Sequence, residues 1–200
     1  MVAGDTGARQ DVMKLNNKYY ILRHGEALSN VKQVCSSWPE KFKNPLTKHG
    51  QEMVMAAAEM LKEKQIDMVV ASPLLRAKQT AKIVAKELNT PLKFDKRLRE
   101  IGFGVFNGKP YESFRSFFGN ESEKAKKCPP RGECYQDVYD RVSDFLKEIQ
   151  RNYKGKSILI VSHQATLVML GWRIKRVTVA RGMKMEGDEG AIRKGELREL

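Results

Sequence analysis

The chain has 200 residues, 41% of them apolar and 30% charged, enough for one domain with a substantial core and typical of a soluble globular protein. The longest stretch without a formal charge, Ser157 to Trp172, is 16 residues with Ser-His-Gln at its centre, whereas a membrane span needs about 20 predominantly apolar residues. The start has no apolar run between a basic segment and a small-residue cleavage site, so the reading is a cytoplasmic chain without a signal peptide. Cys35, Cys128 and Cys134 are an odd count with no CxxC spacing, which argues against a disulfide framework and a zinc site.

The net charge of +13 is spread evenly, +7 over residues 1–100 and +6 over 101–200. Modest clusters lie at Lys93-Lys96-Arg97-Arg99 and Arg173 to Arg176. Such a field fits an anionic small substrate, loose nucleic-acid attraction, or no specific partner.

Residues 1–17 show no periodicity and read as a flexible tail, followed by a single domain over 18–200. Tyr19 to Leu22 reads as a buried strand. From Thr47, a plausible N-cap, to Lys64 the pattern is helical, with Val54, Ala57, Ala58 and Leu61 on one face. Met68 to Ala71 is the next strand. Ser72-Pro73 predicts a helix start, Ser as N-cap and Pro at the first helical position, and the helix runs to about Leu88. Leu92 to Phe94 is a third, weaker strand. Glycine-punctuated loop covers 97–110, with short helical pieces within Tyr111–Phe118. A long helix follows from about Tyr135 to Tyr153, with Val138, Val142, Phe145, Leu146 and Ile149 inward, closed by Gly155. Ser157 to Val161 is the clearest strand. Beyond it, Ala165 to Gly171 reads as a short helix, Arg173 to Ala180 and Ala191 to Leu197 as strands, and Glu186 to Gly190 as a turn. Alternating strands and helices imply a three-layer α/β/α architecture, a mainly parallel sheet with helices on both faces.

In an open α/β sheet, ligands bind at the carboxyl ends of strands. The first strand runs into Arg23-His24-Gly25-Glu26, the second into Ser72-Pro73 and a helix whose first turn holds Arg76, and the clearest one into Ser162-His163. The chain has three histidines, and two of them sit at these ends; His49, in a first helical turn, reads as a surface residue. A cation in the first turn of a helix opposes the macrodipole at about 0.3–1 kcal/mol. Arg76 is therefore either a surface residue paired with a carboxylate or a guanidinium aimed at an anion on the same helix end. For Glu100 the residues alone favour a surface acid paired with Arg97 or Arg99. Two arginines and two histidines converging on strand ends look like a phosphate pocket, whereas a metal site would want more carboxylates.

Ile21-Leu22-Arg23-His24-Gly25-Glu26-Ala27-Leu28-Ser29-Asn30 resembles the signature of the histidine phosphatase superfamily, the phosphoglycerate mutase-like enzymes. Asn44-Pro45-Leu46-Thr47 with Gly50, Ser72-Pro73-Leu74-Leu75-Arg76 through Ala81, Leu98-Arg99-Glu100-Ile101 with Gly104 and Gly108, Gly132-Glu133-Cys134 (Cys for Ser), and Val161-Ser162-His163 resemble its further motifs in family order. The resemblance implies that His24 is the nucleophile, carrying the phosphoryl group as phosphohistidine. It implies that Arg23, Arg76 and His163 hold the phosphoryl oxygens with Asn30 assisting, and that Glu100 protonates the leaving alkoxide and later takes a proton from water. Gln164, where the family commonly has small residues, joins the phosphate-binding set and alters the pocket beside it. The segment after Glu100, Ile101 to Gly108, and Gly132-Glu133 resemble the phosphatase rather than the mutase subgroup.

The physics is coherent with this. A phosphate dianion needs several fixed positive groups. Imidazole attacks only when neutral, and neighbouring guanidinium groups lower its pKa. Gly25 lets backbone approach the phosphate. The expected activity is a metal-independent phosphomonoesterase acting on a small anionic phosphorylated substrate, with no cofactor, no nucleic-acid partner and no membrane partner. A mutase is the alternative within the same chemistry, and a non-catalytic anion-binding or phosphoprotein-binding module the alternative outside it. Phe114, Phe117 and Phe118 could form a compact lid that excludes water, as a mutase would need. The sequence leaves the substrate and the oligomeric state open.

Overall fold

The computed structural model describes residues 14–185 and 191–200. A five-stranded sheet is built from β1 (Lys18–Arg23), β2 (Met68–Ala71), β3 (Leu92–Phe94), β4 (Ser157–Ser162) and β5 (Leu197–Glu199). Its order is β3-β2-β4-β1-β5, parallel except for β5, which pairs antiparallel with β1 at the edge.

The parity of the strands decides the two cores. Tyr19, Ile21, Met68, Val70, Ile158 and Ile160 point to one face, and Tyr20, Leu22, Val69, Ala71, Leu159 and Val161 to the other. Strands apolar at every position need cover on both sides. The first face packs against α5 (Tyr135–Asn152) and α6 (Gln164–Ile174) through Val138, Val142, Phe145, Leu146 and Leu170. The second is covered by α2 (Lys48–Leu61) and α3 (Leu75–Glu87), through Val54, Ala58, Leu61, Ala81 and Val84. Each fully buried Leu, Val, Ile or Phe contributes about 1.5–3 kcal/mol relative to exposure. Right-handed crossovers account for which helix covers which face. The chain steps outward from β1 to β2 to β3, then returns to insert β4 between β2 and β1, so α5 falls on the opposite side from α2 and α3.

The shorter helices α1 (Leu28–Val31), α4 (Tyr111–Arg115) and α7 (Val179–Gly182) lie in the connections. Thr47 caps α2 as expected, its Oγ1 accepting the Gly50 N–H at 2.9 Å. Asn89, with φ of 47°, and Gly155, with φ of +67°, supply the left-handed backbone that follows α3 and α5.

Several expectations need correction. Ser72 is not the N-cap of α3; Leu74 holds that position, and the Ser72 hydroxyl turns instead to His163. Arg173 to Ala180 is not a strand. Ile174, Val177 and Val179 are buried, at spacings of three and then two, and the chain there is the end of α6, a turn with Arg176 at φ of 55°, and the start of α7 capped by Thr178. Ala191 to Leu197 is irregular until β5 begins at Leu197, because its backbone docks on site residues rather than on a strand. Asn17, placed at the end of the tail, is buried, and its side chain donates to the Tyr153 carbonyl at 2.9 Å and accepts from the Lys156 N–H at 3.0 Å. The rest of the expected tail up to residue 13, and the turn at 186–190, lie outside the described residues. No helix among the described residues is long and apolar enough to cross a membrane.

Candidate active site

Adjacent strands β2, β4 and β1 end level with one another. Ala71 pairs with Val161 and Arg23 with Ser162, so Ser72, His163 and His24 emerge side by side. Backbone bonds extend this register past the strands: His24 N–H donates to the Ser162 carbonyl and Ser72 N–H to the Val161 carbonyl, each at 3.0 Å. A cavity of about 690 Å³ opens over these ends, lined by Arg23, His24, Asn30, Arg76, Glu100 and Gln164 among others.

His24 is 1% exposed. Its Nδ1 lies 2.8 Å from the Gly25 carbonyl oxygen, which can only accept, so the proton is on Nδ1. Its Nε2 accepts from Arg76 Nε at 3.0 Å. The lone pair therefore sits on the nitrogen nearest the guanidinium. Burial, then the charges of Arg76 and Arg23, hold the imidazole pKa well below its ordinary value.

Arg76 is 3% exposed, which excludes a surface role. Its Nη2 donates to the Ser36 carbonyl at 3.0 Å and its Nη1 approaches Glu40 at 3.9 Å. Burial lowers its pKa to about 10, leaving it cationic at neutral pH. Glu40 also accepts the Leu75 N–H at 3.1 Å, so it offsets a buried cation placed against the positive end of α3.

His163 is fully buried, with its ring centroid 5.1 Å from that of His24. Its Nε2 bonds Ser72 Oγ at 2.7 Å, and its Nδ1 is buried without a hydrogen-bond partner among the described residues. Burial, Arg76 and His24 hold its pKa well below the ordinary histidine value. The two histidines thus share position and charge state but differ in partners. One has a fixed tautomer and a guanidinium on its free nitrogen, and the other an uncommitted buried nitrogen.

Arg23 Nη1 donates to Gln164 Oε1 at 3.0 Å and to the Ile192 carbonyl at 2.7 Å, while its Nε is buried without a hydrogen-bond partner among the described residues. Gln164 accepts from Ile192 N–H as well, so its carbonyl oxygen orients Arg23. Asn30 Oδ1 accepts the Ala27 N–H at 2.9 Å and lies in the cavity wall.

Glu100 faces the cavity. The surface-pair reading fails because Arg97 is taken by Asp95 and Glu148, and Arg99 stacks over Trp38 at 5.6 Å. One Glu100 oxygen accepts the Ile101 N–H at 3.0 Å. Burial raises its pKa, and Arg76 and Arg23 only partly oppose that.

Gly25 serves a contact between α2 and the turn after β1 that the sequence did not show. A Cβ there would lie 2.3 Å from the Gly50 carbonyl oxygen and 2.8 Å from Val54, so the missing side chain lets α2 approach the turn after β1. The three phenylalanines do not close the cavity. Phe114 and Phe118 are buried and stack edge-on with each other and with Phe103 and Phe117, beneath α4. His49 is exposed, as expected. Sequence reasoning missed Ser36 and Glu40 on Arg76, the Ser72 bond to His163, and Lys194, which reaches the cavity and pairs with Glu26 at 3.3 Å. Only Ser72 carried a signal, its place at a strand end.

The arrangement can hold a tetrahedral dianion against a neutral imidazole, with a carboxyl of raised pKa lining the same cavity. The sequence matches the histidine phosphatase superfamily (branch 1) over residues 19–199. The chain belongs to the histidine phosphatase superfamily. Among curated relatives, this superfamily member is 30% identical over 151 residues to a protein named uncharacterized phosphatase PhoE of Bacillus subtilis, covering 74% of this chain and 72% of that one. It is also 30% identical over 153 residues to a probable phosphoglycerate mutase, GpmB of Escherichia coli, covering 74% and 70%. Among solved structures, YhfR of Bacillus stearothermophilus aligns with a TM-score of 0.79 at 26% identity, over 92% of this chain and 90% of that one. The three-layer α/β/α arrangement is therefore that of the superfamily, whose enzymes act in phosphoryl transfer, as phosphatases or mutases.

Proposed function

We propose that this superfamily member is a metal-independent phosphomonoesterase that hydrolyses a small phosphate ester through a phosphohistidine on His24. The observation that carries the proposal is the orientation of His24. Its Nδ1–H is fixed on the Gly25 carbonyl, and its Nε2 lone pair faces the cavity end of Arg76. An entering phosphoryl group takes the guanidinium that Nε2 now occupies, and frees the lone pair for in-line attack.

Arg23, Arg76 and the uncommitted nitrogen of His163 receive the equatorial oxygens, with Asn30 at the side and Gln164 holding Arg23 in aim. Glu100, whose acid form burial favours, donates to the leaving oxygen. As carboxylate it then takes a proton from the water that attacks the phosphohistidine. Two arginines supply the charge that a metal supplies elsewhere. Among the described residues, no cluster with metal-binding geometry includes His24, Glu100 or His163.

Phosphatase rather than mutase is favoured by the packing of Phe114 and Phe118 into the core, which keeps both out of the cavity lining, where the aromatics are Phe103, Tyr111 and Tyr135. Water then reaches the phosphohistidine. The test is a product balance with 3-phosphoglycerate and with p-nitrophenyl phosphate after exhaustive dialysis against a chelator. Free phosphate should appear in step with lost ester. Faster formation of 2-phosphoglycerate than of phosphate would establish a mutase, and recovery only on adding a divalent ion would refute metal independence.

A further inference from the structure

Outside the cavity, the fold gathers three ligand atoms that the sequence keeps apart. Cys128 Sγ, Cys134 Sγ and a carboxylate oxygen of Asp137 lie within 4.8 Å of one another. Both thiols point at the same atom, Asp137 Oδ2, Cys134 at 3.1 Å and Cys128 at 3.5 Å. We propose that Cys128, Cys134 and Asp137 form a binding site for a thiophilic divalent cation of the zinc class, separate from the phosphoryl-transfer site.

Geometry supports this first. A tetrahedral ion with metal–sulfur bonds of about 2.3 Å and a metal–oxygen bond of about 2.0–2.2 Å separates sulfur from oxygen by about 3.5 Å. The observed separations reach that value with side-chain adjustments alone. The ligands are also held in advance. The segment from Cys128 to Cys134 is clamped along its length: Val105 N–H donates to the Pro130 carbonyl at 3.1 Å, Gly132 N–H to the Pro129 carbonyl at 2.8 Å, and Glu133 N–H to the Gly102 carbonyl at 2.8 Å. Glu133 in turn accepts from Gly102 N–H at 2.8 Å and from Arg141 at 2.9 Å. Asp137 Oδ2 accepts the Cys134 N–H at 3.0 Å, a bond that orients the carboxylate and survives metal binding.

The chemistry balances. Each thiol gives its proton to solvent as its sulfur takes the metal, and burial holds the Cys134 thiol up at about 12, so the cation must displace that proton. Two thiolates and one carboxylate around a dication leave a net single negative charge. That charge sits at the N-terminus of the 18-residue α5, where the macrodipole favours it. Cys128 is exposed, so the fourth position opens to water. A disulfide would use only the two sulfurs, whereas the carboxylate, besides capping the Cys134 N–H, lies against both of them.

The protein is purified under a phosphine reductant, stripped with chelator, and titrated with Zn²⁺ against a chromophoric competitor and with Co²⁺ as an optical probe. The expected result is one ion per chain, a sulfur-to-cobalt charge-transfer band with the intense visible bands of tetrahedral Co²⁺, and a rise in thermal midpoint on loading. Cys128→Ser, a change at an exposed side chain, should weaken binding by more than the ~100-fold that loss of a mere supporting contact can cost, and abolish the thermal shift. Cys35→Ser should leave both in place. Cys128→Ser should turn over p-nitrophenyl phosphate as the parent protein does, so a failure of this proposal is separate from any failure of the phosphatase reading. Absence of stoichiometric binding, or equal binding by Cys128→Ser and Asp137→Asn, would overturn the site. So would loss of both thiols to a disulfide in air that Zn²⁺ does not prevent.

Discussion

The floor and the outer wall of the cavity are built on different terms. The floor is made by the ends of β1, β2 and β4, where Arg76, His24 and His163 are each 3% exposed or less and locked by short bonds to neighbouring backbone and hydroxyls. The outer wall comes from connections: Lys32 after α1, Arg115 at the end of α4, and Lys194 near the C-terminus. Its charges are solvated, and Arg115 is 60% exposed and approaches Glu112 at 3.6 Å. Low dielectric at the floor turns each charge into a large pKa effect, whereas solvent screens the wall. The difference teaches that the floor sets the reaction and the wall tunes which ester is held.

The sharpest way to break this division is at the nucleophile. His24→Ala should lower kcat by about 10⁴-fold or more while far-ultraviolet circular dichroism stays unchanged. Rapid quench of the parent protein should trap about one acid-labile, alkali-stable phosphate per active chain. Substantial turnover by a folded His24→Ala protein would remove the floor from the chemistry.

The acid comes next. Glu100→Gln should cost about 10²–10⁴-fold with alkyl phosphates, whose leaving group needs a proton, and far less in the first turnover with p-nitrophenyl phosphate. The pH profile carries the same information. The Glu100 pKa is raised, so its acid form persists to higher pH than an ordinary carboxyl, and the rate should fall as pH rises through it. The His24 pKa is held well below its usual value, so imidazole remains neutral and activity should survive as pH drops through about 6.5. The optimum should therefore be acidic, and Glu100→Gln should lose the descending limb. Stopped-flow and steady-state profiles check both.

A third change tests the support beneath the floor. Gly25→Ala places a methyl 2.3 Å from the Gly50 carbonyl oxygen, a backbone atom that cannot swing away. It should destabilise the protein by about 1–3 kcal/mol, read as a lowered urea midpoint. The smallest effect belongs to the wall. Arg115→Ala should raise KM by no more than about fivefold for a substrate with a second anionic group, with kcat for p-nitrophenyl phosphate unchanged. A large kcat loss there would erase the distinction between floor and wall.

Much of this was legible in the residues. Unbroken apolar runs at Tyr19–Leu22 and Ile158–Val161 mark strands buried on both faces, and period-3.6 runs such as Val138 to Ile149 fix the inward face of a helix, before any partner is known. Those patterns placed Arg23-His24, Ser72 and Ser162-His163 at strand ends, and hence brought out the candidate floor. The apolar residues from Ile174 to Val179 misled, because scattered buried positions like Ile174, Val177 and Val179 are also produced by a turn between two helices.

What the sequence determined by itself was local: element type, inward faces, and the candidacy of two histidines and two arginines. Only the tertiary structure decided who meets whom. Ser36 reaches Arg76 from 40 positions away, Ser72 meets His163 across 91, and the Ile192 carbonyl takes Arg23 across 169. Cys128 and Cys134 lack any CxxC spacing, yet a clamped loop brings both onto Asp137. The physical reason is that periodicity records the geometry of one element against an average core. A hydrogen bond or a ligand cluster depends on the register of strands and the path of loops, which long-range packing alone sets.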